Sequence, residues 1–255
     1  MVPSVSVSEA GQDAAGRAVT IRFPQVDPAG IVFYPRYFEM VYSCFPELPF
    51  TRWPIAIKTQ FLKPNRLGDR LVLHYENGGD DWSVTGRMDG ATHFSMRGYD
   101  AIAPATDAHD PNSPAFVTTT AVVGDWMSDR HGYMSLSRYF ECLNMAIEEW
   151  FERTLELPFH ELHVGRKVGI PTVQFDTNLR SLPACGDSFS IHIRPVRLGG
   201  RAMTFRSWLV SGDECLVENE QVVVFVRMLP GGYESIGIPD DLRSEFQNQL
   251  AEGLR

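Results

Sequence analysis

A carboxylate, a turn of small residues and the start of a helix fall together in Asp27-Pro28-Ala29-Gly30-Ile31-Val32-Phe33-Tyr34-Pro35. An aspartate so placed can attack an acyl carbon or take a proton from water. The free N–H groups of a helix start, residues 31–36 here, favour an oxygen that gains negative charge. Gly30 would let a ligand come close to the backbone. The competing use of Asp27 is structural, with its side chain capping the turn or the helix. Spacing alone leaves both uses open.

The arrangement returns 102 residues later as Ser128-Asp129-Arg130-His131-Gly132-Tyr133-Met134-Ser135, and both copies run into Arg-Tyr-Phe-Glu, at 36–39 and 138–141. Asp129 is a second catalytic candidate with altered neighbours; its alternative is to cap the helix that follows. Glu39 and Glu141 occupy the same point of each copy, where a functional role competes with a salt bridge to Arg36 or Arg138. Further on, the segment from Phe61 to Asp69 matches Leu179 to Asp187 at an offset of 118, so the first copy is 16 residues shorter between these landmarks.

Those 16 residues belong to the helix. From Leu136 to Leu155 the apolar residues recur at i, i+3, i+4 and i+7, opposite a face of Glu and Asn, which predicts about five turns. The first copy's helix starts at Pro35, but Pro46 and Pro49 should stop it after two to three turns. Strand-like runs follow each helix: Arg70–Tyr75, Trp82–Met88 and Thr92–Tyr99, then Ser188–Pro195, Ala202–Ser211 and Glu214–Met228. They are rich in Val, Ile, Phe and Thr and are joined by glycine turns. Each unit is therefore α+β, with a sheet that must bury one face on its helix. We expect a disordered lead-in at 1–16, a first domain at 17–104, a linker at 105–115, a second domain at 116–245 and a tail at 246–255. A short final helix is expected from Ile238 to Leu250.

The chain has 255 residues, a formal charge of −9, 44% hydrophobic and 22% charged residues, which is ordinary for a soluble globular protein. The acidic balance argues against a nucleic-acid surface. No apolar run reaches the roughly 20 residues of a membrane span. The first residues lack the basic and apolar regions of a signal peptide. Cys44, Cys142, Cys185 and Cys215 have no paired spacing and are expected as reduced thiols of a cytoplasmic protein, each behaving as a small buried hydrophobe.

The Asp27–Pro35 run, led by Ile21-Arg22-Phe23, resembles the signature of the 4-hydroxybenzoyl-CoA thioesterase family of hotdog-fold proteins. Phe61-Leu62-Lys63-Pro64 with Gly68-Asp69 is similar to that family's second-strand segment, and Glu234 to Pro239 to its C-terminal tail. The second copy resembles the same domain in layout more than in letters. The resemblance implies tandem hotdog domains, each an antiparallel sheet wrapped around a central helix, paired into one continuous sheet. It implies an acyl-CoA thioesterase for a small aromatic or short-chain acyl group, with Asp27 as nucleophile or base and the Tyr34 N–H polarising the thioester carbonyl. Gly30, Ile31, Val32 and Phe33 would line the substrate. An acyl-carrier-protein thioesterase and a non-catalytic acyl-CoA-binding protein are the alternatives. Coenzyme A would enter as part of the substrate, with no further cofactor. The chain would be a monomer of pseudo-dimeric halves or a homodimer.

Coenzyme A phosphates need cations. The turn Arg197-Leu198-Gly199-Gly200-Arg201 supplies them, whereas the first copy has Asn77-Gly78-Gly79-Asp80-Asp81 at the equivalent place. If the ligand crosses between units, Arg197 and Arg201 would serve Asp27, leaving one competent site per chain. Their alternative is to be ordinary solvated turn residues. His160 and His163 lack a third ligand at a recognisable spacing, so no metal site is expected. Phe33, Phe38, Trp53, Tyr139 and Trp150 could line an acyl pocket or simply fill the core.

Overall fold

The computed structural model describes residues 16–48, 53–79, 81–99, 116–118, 120–229 and 232–252. Residues 1–15 of the expected lead-in and the expected linker at 105–115 lie outside the described residues. The first half contains β1 (Arg17–Thr20), α1 (Pro35–Cys44), β2 (Ile55–Phe61), β3 (Arg70–Asn77), β4 (Asp81–Met88) and β5 (Ala91–Tyr99). The second half begins with β6 (Phe116–Val117), β7 (Ala121–Val122), α2 (Leu136–Leu155) and β8 (Val168–Gly169). It continues through β9 (Thr172–Leu179), β10 (Ser188–Leu198), β11 (Ala202–Ser211) and β12 (Glu214–Val224) to β13 (Val226–Leu229), β14 (Gly232–Ser235) and α3 (Asp240–Glu252).

Alternation makes the strands. In β2, Ile55, Ile57 and Thr59 are buried while Lys58 between them is exposed, the period of two that puts successive side chains on opposite faces. The strands assemble into one 11-stranded antiparallel sheet of order β1-β3-β4-β5-β2-β9-β12-β11-β10-β6, with β7 also on β10. Read outward from the β2–β9 junction, the order is the same on both sides, so the sheet is two copies of one unit joined about a pseudo-twofold. At that junction Ile55 faces Leu179 and Gln60 faces Gln174. The tandem hotdog architecture implied by the sequence is the observed one.

Both helices lie on the inner face of the sheet and meet each other, with Phe38 of α1 stacked on Phe140 of α2 at 4.1 Å between ring centroids. Their surroundings form one core running through both halves. Burying each such aromatic contributes about 1.5–3 kcal/mol. The helices are unequal as expected: α1 has 10 residues and stops at Cys44, two before Pro46, while α2 has 20. The additional turns of α2 have a core of their own, in which Trp150 and Phe151 pack on Phe246 of α3. Phe246 is fully buried, so an end of the second domain at 245 would cut α3 through its anchoring residue.

One expected strand is two. The run Glu214–Met228 breaks at Phe225, whose side chain is buried and whose N–H donates to the Arg201 carbonyl at 2.9 Å. Beyond the break β13 leaves the main sheet and pairs with β8 and β14 in a separate three-stranded sheet. Among the described residues no helix is long and apolar enough to cross a membrane.

Candidate functional site

The Asp27 loop is a tight reversal held by its own backbone. Asp27 N–H donates to the Ile31 carbonyl at 2.8 Å, and Gly30 N–H to the Asp27 carbonyl at 2.9 Å. Gly30 has φ of 75°, the left-handed conformation that a turn of this shape assigns to glycine. The carboxylate is oriented through one oxygen: Oδ1 accepts from the N–H groups of Ala29 and Ile31 at 2.8 and 3.0 Å. Oδ2 has no partner among the described residues. The structural and the chemical readings of Asp27 are therefore compatible, since one oxygen holds the loop and the other remains available.

The chain then enters α1. Phe33 N–H donates to Gln25 carbonyl, Arg36 N–H to Phe33 carbonyl and Tyr37 N–H to Tyr34 carbonyl. Among the described residues nothing accepts from the Tyr34 N–H, and Pro35 after it has none to give. Tyr34 is thus the free donor at this helix start. Its ring is buried between Phe140 and Phe175, and its hydroxyl donates to the Phe140 carbonyl of the other half at 3.1 Å. Val32 is buried, while Ile31, Phe33 and Gly30 are partly exposed along the same loop.

Asp129 repeats this geometry closely. Its Oδ1 accepts from His131 and Tyr133 N–H groups at 2.8 and 3.2 Å, and Gly132 has φ of 83°. The surroundings differ. Tyr133 is met edge-on by the Trp53 ring at 4.9 Å, and Arg130 donates to the Pro46 carbonyl at 3.5 Å. Pro46 and Trp53, which follow α1, thus close on the Asp129 loop.

Behind Asp27 the second half supplies polar groups instead. The Asp27 charge acts on His163, raising a pKa that burial has lowered. It also acts on Tyr233 of β14, whose hydroxyl burial pushes up and Arg66 draws back down. A methyl built on Gly232 would stand 3.9 Å from the Arg66 guanidinium. Arg66 is itself bridged to Ile31 of the loop. His160 does not join this group, and among the described residues no three metal-ligating side chains cluster.

A buried polar network braces the loop, and sequence reasoning missed it. Tyr37 hydroxyl donates to Asn65 Oδ1 at 2.9 Å, and Asn65 Nδ2 donates to His93 Nδ1 at 3.0 Å. All three side chains are buried, and the Asn65 carbonyl accepts from Val32 N–H at 2.9 Å. The network ties α1 and β5 to the backbone that carries the Asp27 loop. In the second half the matching positions are Tyr139, Pro183 and Leu216, which preserve the backbone bond (Met134 N–H to Pro183 carbonyl, 2.9 Å) without the side-chain network.

The two glutamates are salt-bridged. Arg36 contacts Glu39 at 3.0 Å and Glu141 at 2.8 Å, and Arg138 contacts Glu141 at 2.5 Å, linking the first turns of α1 and α2. Register places the Arg197–Arg201 turn at the edge of the sheet where β2 ends and β9 begins, the side from which the Asp27 loop rises. The Asn77–Asp81 turn lies at the opposite edge, and Asp81 there pairs with Arg97. Arg197 and Arg201 are exposed, and Arg243 holds the Gly199 and Gly200 carbonyls at 3.0 Å. Of the singled-out aromatics, Phe38, Tyr139 and Trp150 are core, while Phe33 and Trp53 are half-buried. Among the thiols only Cys44 is buried as expected; Cys142 and Cys215 are partly exposed, and Cys185 is exposed and donates to Asp125 Oδ1 at 3.0 Å.

No protein-family model and no curated protein sequence matches the chain. Solved structures do match. One from Lactobacillus plantarum, assigned as an oleoyl thioesterase, is 11% identical with a TM-score of 0.63; the match covers 85% of this chain and 96% of that one. A thioesterase-superfamily protein from Jannaschia sp. CCS1 is 21% identical over 59% of this chain and 99% of its own, with a TM-score of 0.49. A 1,4-dihydroxy-2-naphthoyl-CoA thioesterase from Synechocystis is 13% identical over 53% of this chain and 97% of its own, with a TM-score of 0.47. The first match spans both halves of the chain.

Proposed function

We propose that this protein is an acyl-CoA thioesterase with one competent site, at Asp27, built by the first half and walled by the second. The observation that carries the reading is the pairing of a half-engaged carboxylate with a free helix-start N–H. Asp27 presents Oδ2 to the ligand, and Tyr34 N–H has no partner within the described protein. The assignment of the L. plantarum protein, which shares the double architecture, supports the same chemistry.

The geometry suits two routes to one outcome. In the first, Asp27 Oδ2 attacks the thioester carbon, the carbonyl oxygen takes the negative charge toward Tyr34 N–H, and collapse expels the coenzyme A thiolate. Water then cleaves the resulting mixed anhydride. In the second, Oδ2 takes a proton from water as that water attacks. Both need the oxyanion donor and neither needs a metal or added cofactor. Gly30 to Phe33 would border the acyl group, and Arg197 and Arg201 would meet the phosphates. The carrier of the acyl group is coenzyme A in this reading, on the strength of that cationic turn.

The test is thiol release from a panel of aromatic and aliphatic acyl-CoAs. Asp27→Asn should lower kcat by about 100-fold or more. An undiminished rate in that variant would sink the assignment. A single turnover in ¹⁸O-water separates the routes, because only the anhydride route can leave label in the Asp27 carboxylate.

A further inference from the structure

Beneath α2 the sheet carries polar side chains where a core calls for apolar ones. Thr177, Asn219 and Ser207 stand side by side on β9, β12 and β11, and Thr59 and Gln221 lie one inward position along on β2 and β12. All five are at most 3% exposed. Tyr139 of α2 meets one end of the row; burial pushes its hydroxyl up, and its hydrogen bond with the Ser207 hydroxyl draws it partly back. One bond closes within the group, from Thr177 Oγ1 to Asn219 Oδ1 at 2.6 Å. Thr59 Oγ1, Asn219 Nδ2 and Gln221 Oε1 remain without a partner, and Tyr139 OH and Ser207 Oγ have only each other. Buried polar atoms are costly unless something bonds to them.

The fold does not require this arrangement. At the positions of Ser207, Asn219 and Gln221 the first half has Val84, Met96 and Gly98, and it packs as a core. Nor is the group remote from the chemistry. The Tyr34 side chain runs inward from the helix start, and its hydroxyl ends between the Phe140 carbonyl and Gln221.

We infer that this row is the far end of the acyl chamber, and that the acyl group carries two or more neutral oxygen functions, hydroxyl or carbonyl, away from the thioester. The inference rests on the thioesterase reading and narrows its substrate. Donors and acceptors are both present in the row, so a ligand oxygen of either kind finds a mate. The register neighbours on the inner face, Ile57, Phe175, Phe205 and Ile193, carry no charge, and the carboxyl acting on the Tyr34 hydroxyl from α2 is Glu148, so an anionic acyl end is disfavoured. Adjacent strands lie about 4.8 Å apart, so a row across three strands is too wide for one oxygen to satisfy.

The experiment exchanges the row for the first half's residues, Asn219→Met with Ser207→Val. The substrates are acyl-CoAs of one carbon skeleton bearing none, one or two hydroxyl or keto groups. Wild type should favour the doubly oxygenated substrate in kcat/KM by about tenfold or more, and the exchange should bring that ratio close to one. Calorimetric binding of the matching non-hydrolysable acyl-CoA thioethers reads the same ratio without turnover. It therefore judges the row even if no thioester is cleaved, an outcome that would fail the thioesterase reading alone. A melting temperature no lower than wild type confirms that the exchanged chain folds. Equal handling of all substrates by wild type, or a preference that survives the exchange, would overturn the inference and leave the row as a site for ordered water.

Discussion

Lys58 and Asp176 form an ion pair across the β2–β9 junction, at 3.4 Å, and they are the same position of the two copies. The pseudo-twofold passes between them. In a pair of identical units this position would meet its own copy, as two lysines or two aspartates. Opposite charges here are open only to halves that differ in sequence.

Reversing one charge should therefore be felt at the junction. Asp176→Lys is expected to lower stability by about 1 kcal/mol, since both side chains are nearly half exposed and solvent screens them. The double reversal, Lys58→Asp with Asp176→Lys, should recover most of it. Urea denaturation of the three variants at low and moderate salt measures both.

Asp129→Asn should behave as a scaffold change. Both N–H groups that hold Asp129 can still be accepted by an amide oxygen, so a loss of about 1 kcal/mol or less is expected. Turnover should stay within about threefold of wild type, against the far larger loss expected at Asp27. A deep loss at Asp129 would mean that both halves are catalytic.

The Asn65 network should set rate more than affinity. Replacing Asn65 by Leu strands the Tyr37 hydroxyl and His93 Nδ1, at about 1–3 kcal/mol for each unsatisfied group. The exchange Asn65→Pro with His93→Leu installs what the second half already tolerates. It should fold, with kcat lower by about tenfold and KM less affected, because the loop that carries Asp27 and Tyr34 loses its brace. Equal losses in kcat/KM from KM alone would refute the positioning role.

Glu148 gives a pH dependence with a definite sign. Its carboxyl is raised above the ordinary value by burial, against an Asn144 side-chain bond at 2.6 Å that lowers it. The folded state therefore holds this proton more tightly than the unfolded chain. Its contribution is fully present below the unfolded pKa and is lost as pH rises through the folded one. Glu148→Gln should remove that decline, so the variant gains on wild type from mildly acid pH upward. Denaturation midpoints of the pair across acid to neutral pH would show it, and parallel curves would contradict it.

What could be read in the letters was local. The Asp27 and Asp129 turns, the glycines that close them and the stop of α1 ahead of Pro46 all lie within a few residues of their causes. The polar row was not legible, because Thr177, Ser207 and Asn219 become neighbours only once strand register is known. Asn65 and His93 meet only across a sheet. The break at Phe225 carries no turn residue, since tertiary position imposes it on an apolar run. Phe246 is a lone aromatic in a polar helix, and only Trp150 and Phe151 reveal it as an anchor.

The β2–β9 junction also changes what dilution can do. Two separate units held by such a strand pair would part as their concentration fell below the dissociation constant, and a site shared between them would fade with it. Within one chain the second half is present at an effective concentration fixed by the connecting segment. The wall opposite Asp27 is therefore as complete in a dilute solution as in a crowded one, and specific activity should not depend on how much of the protein is present.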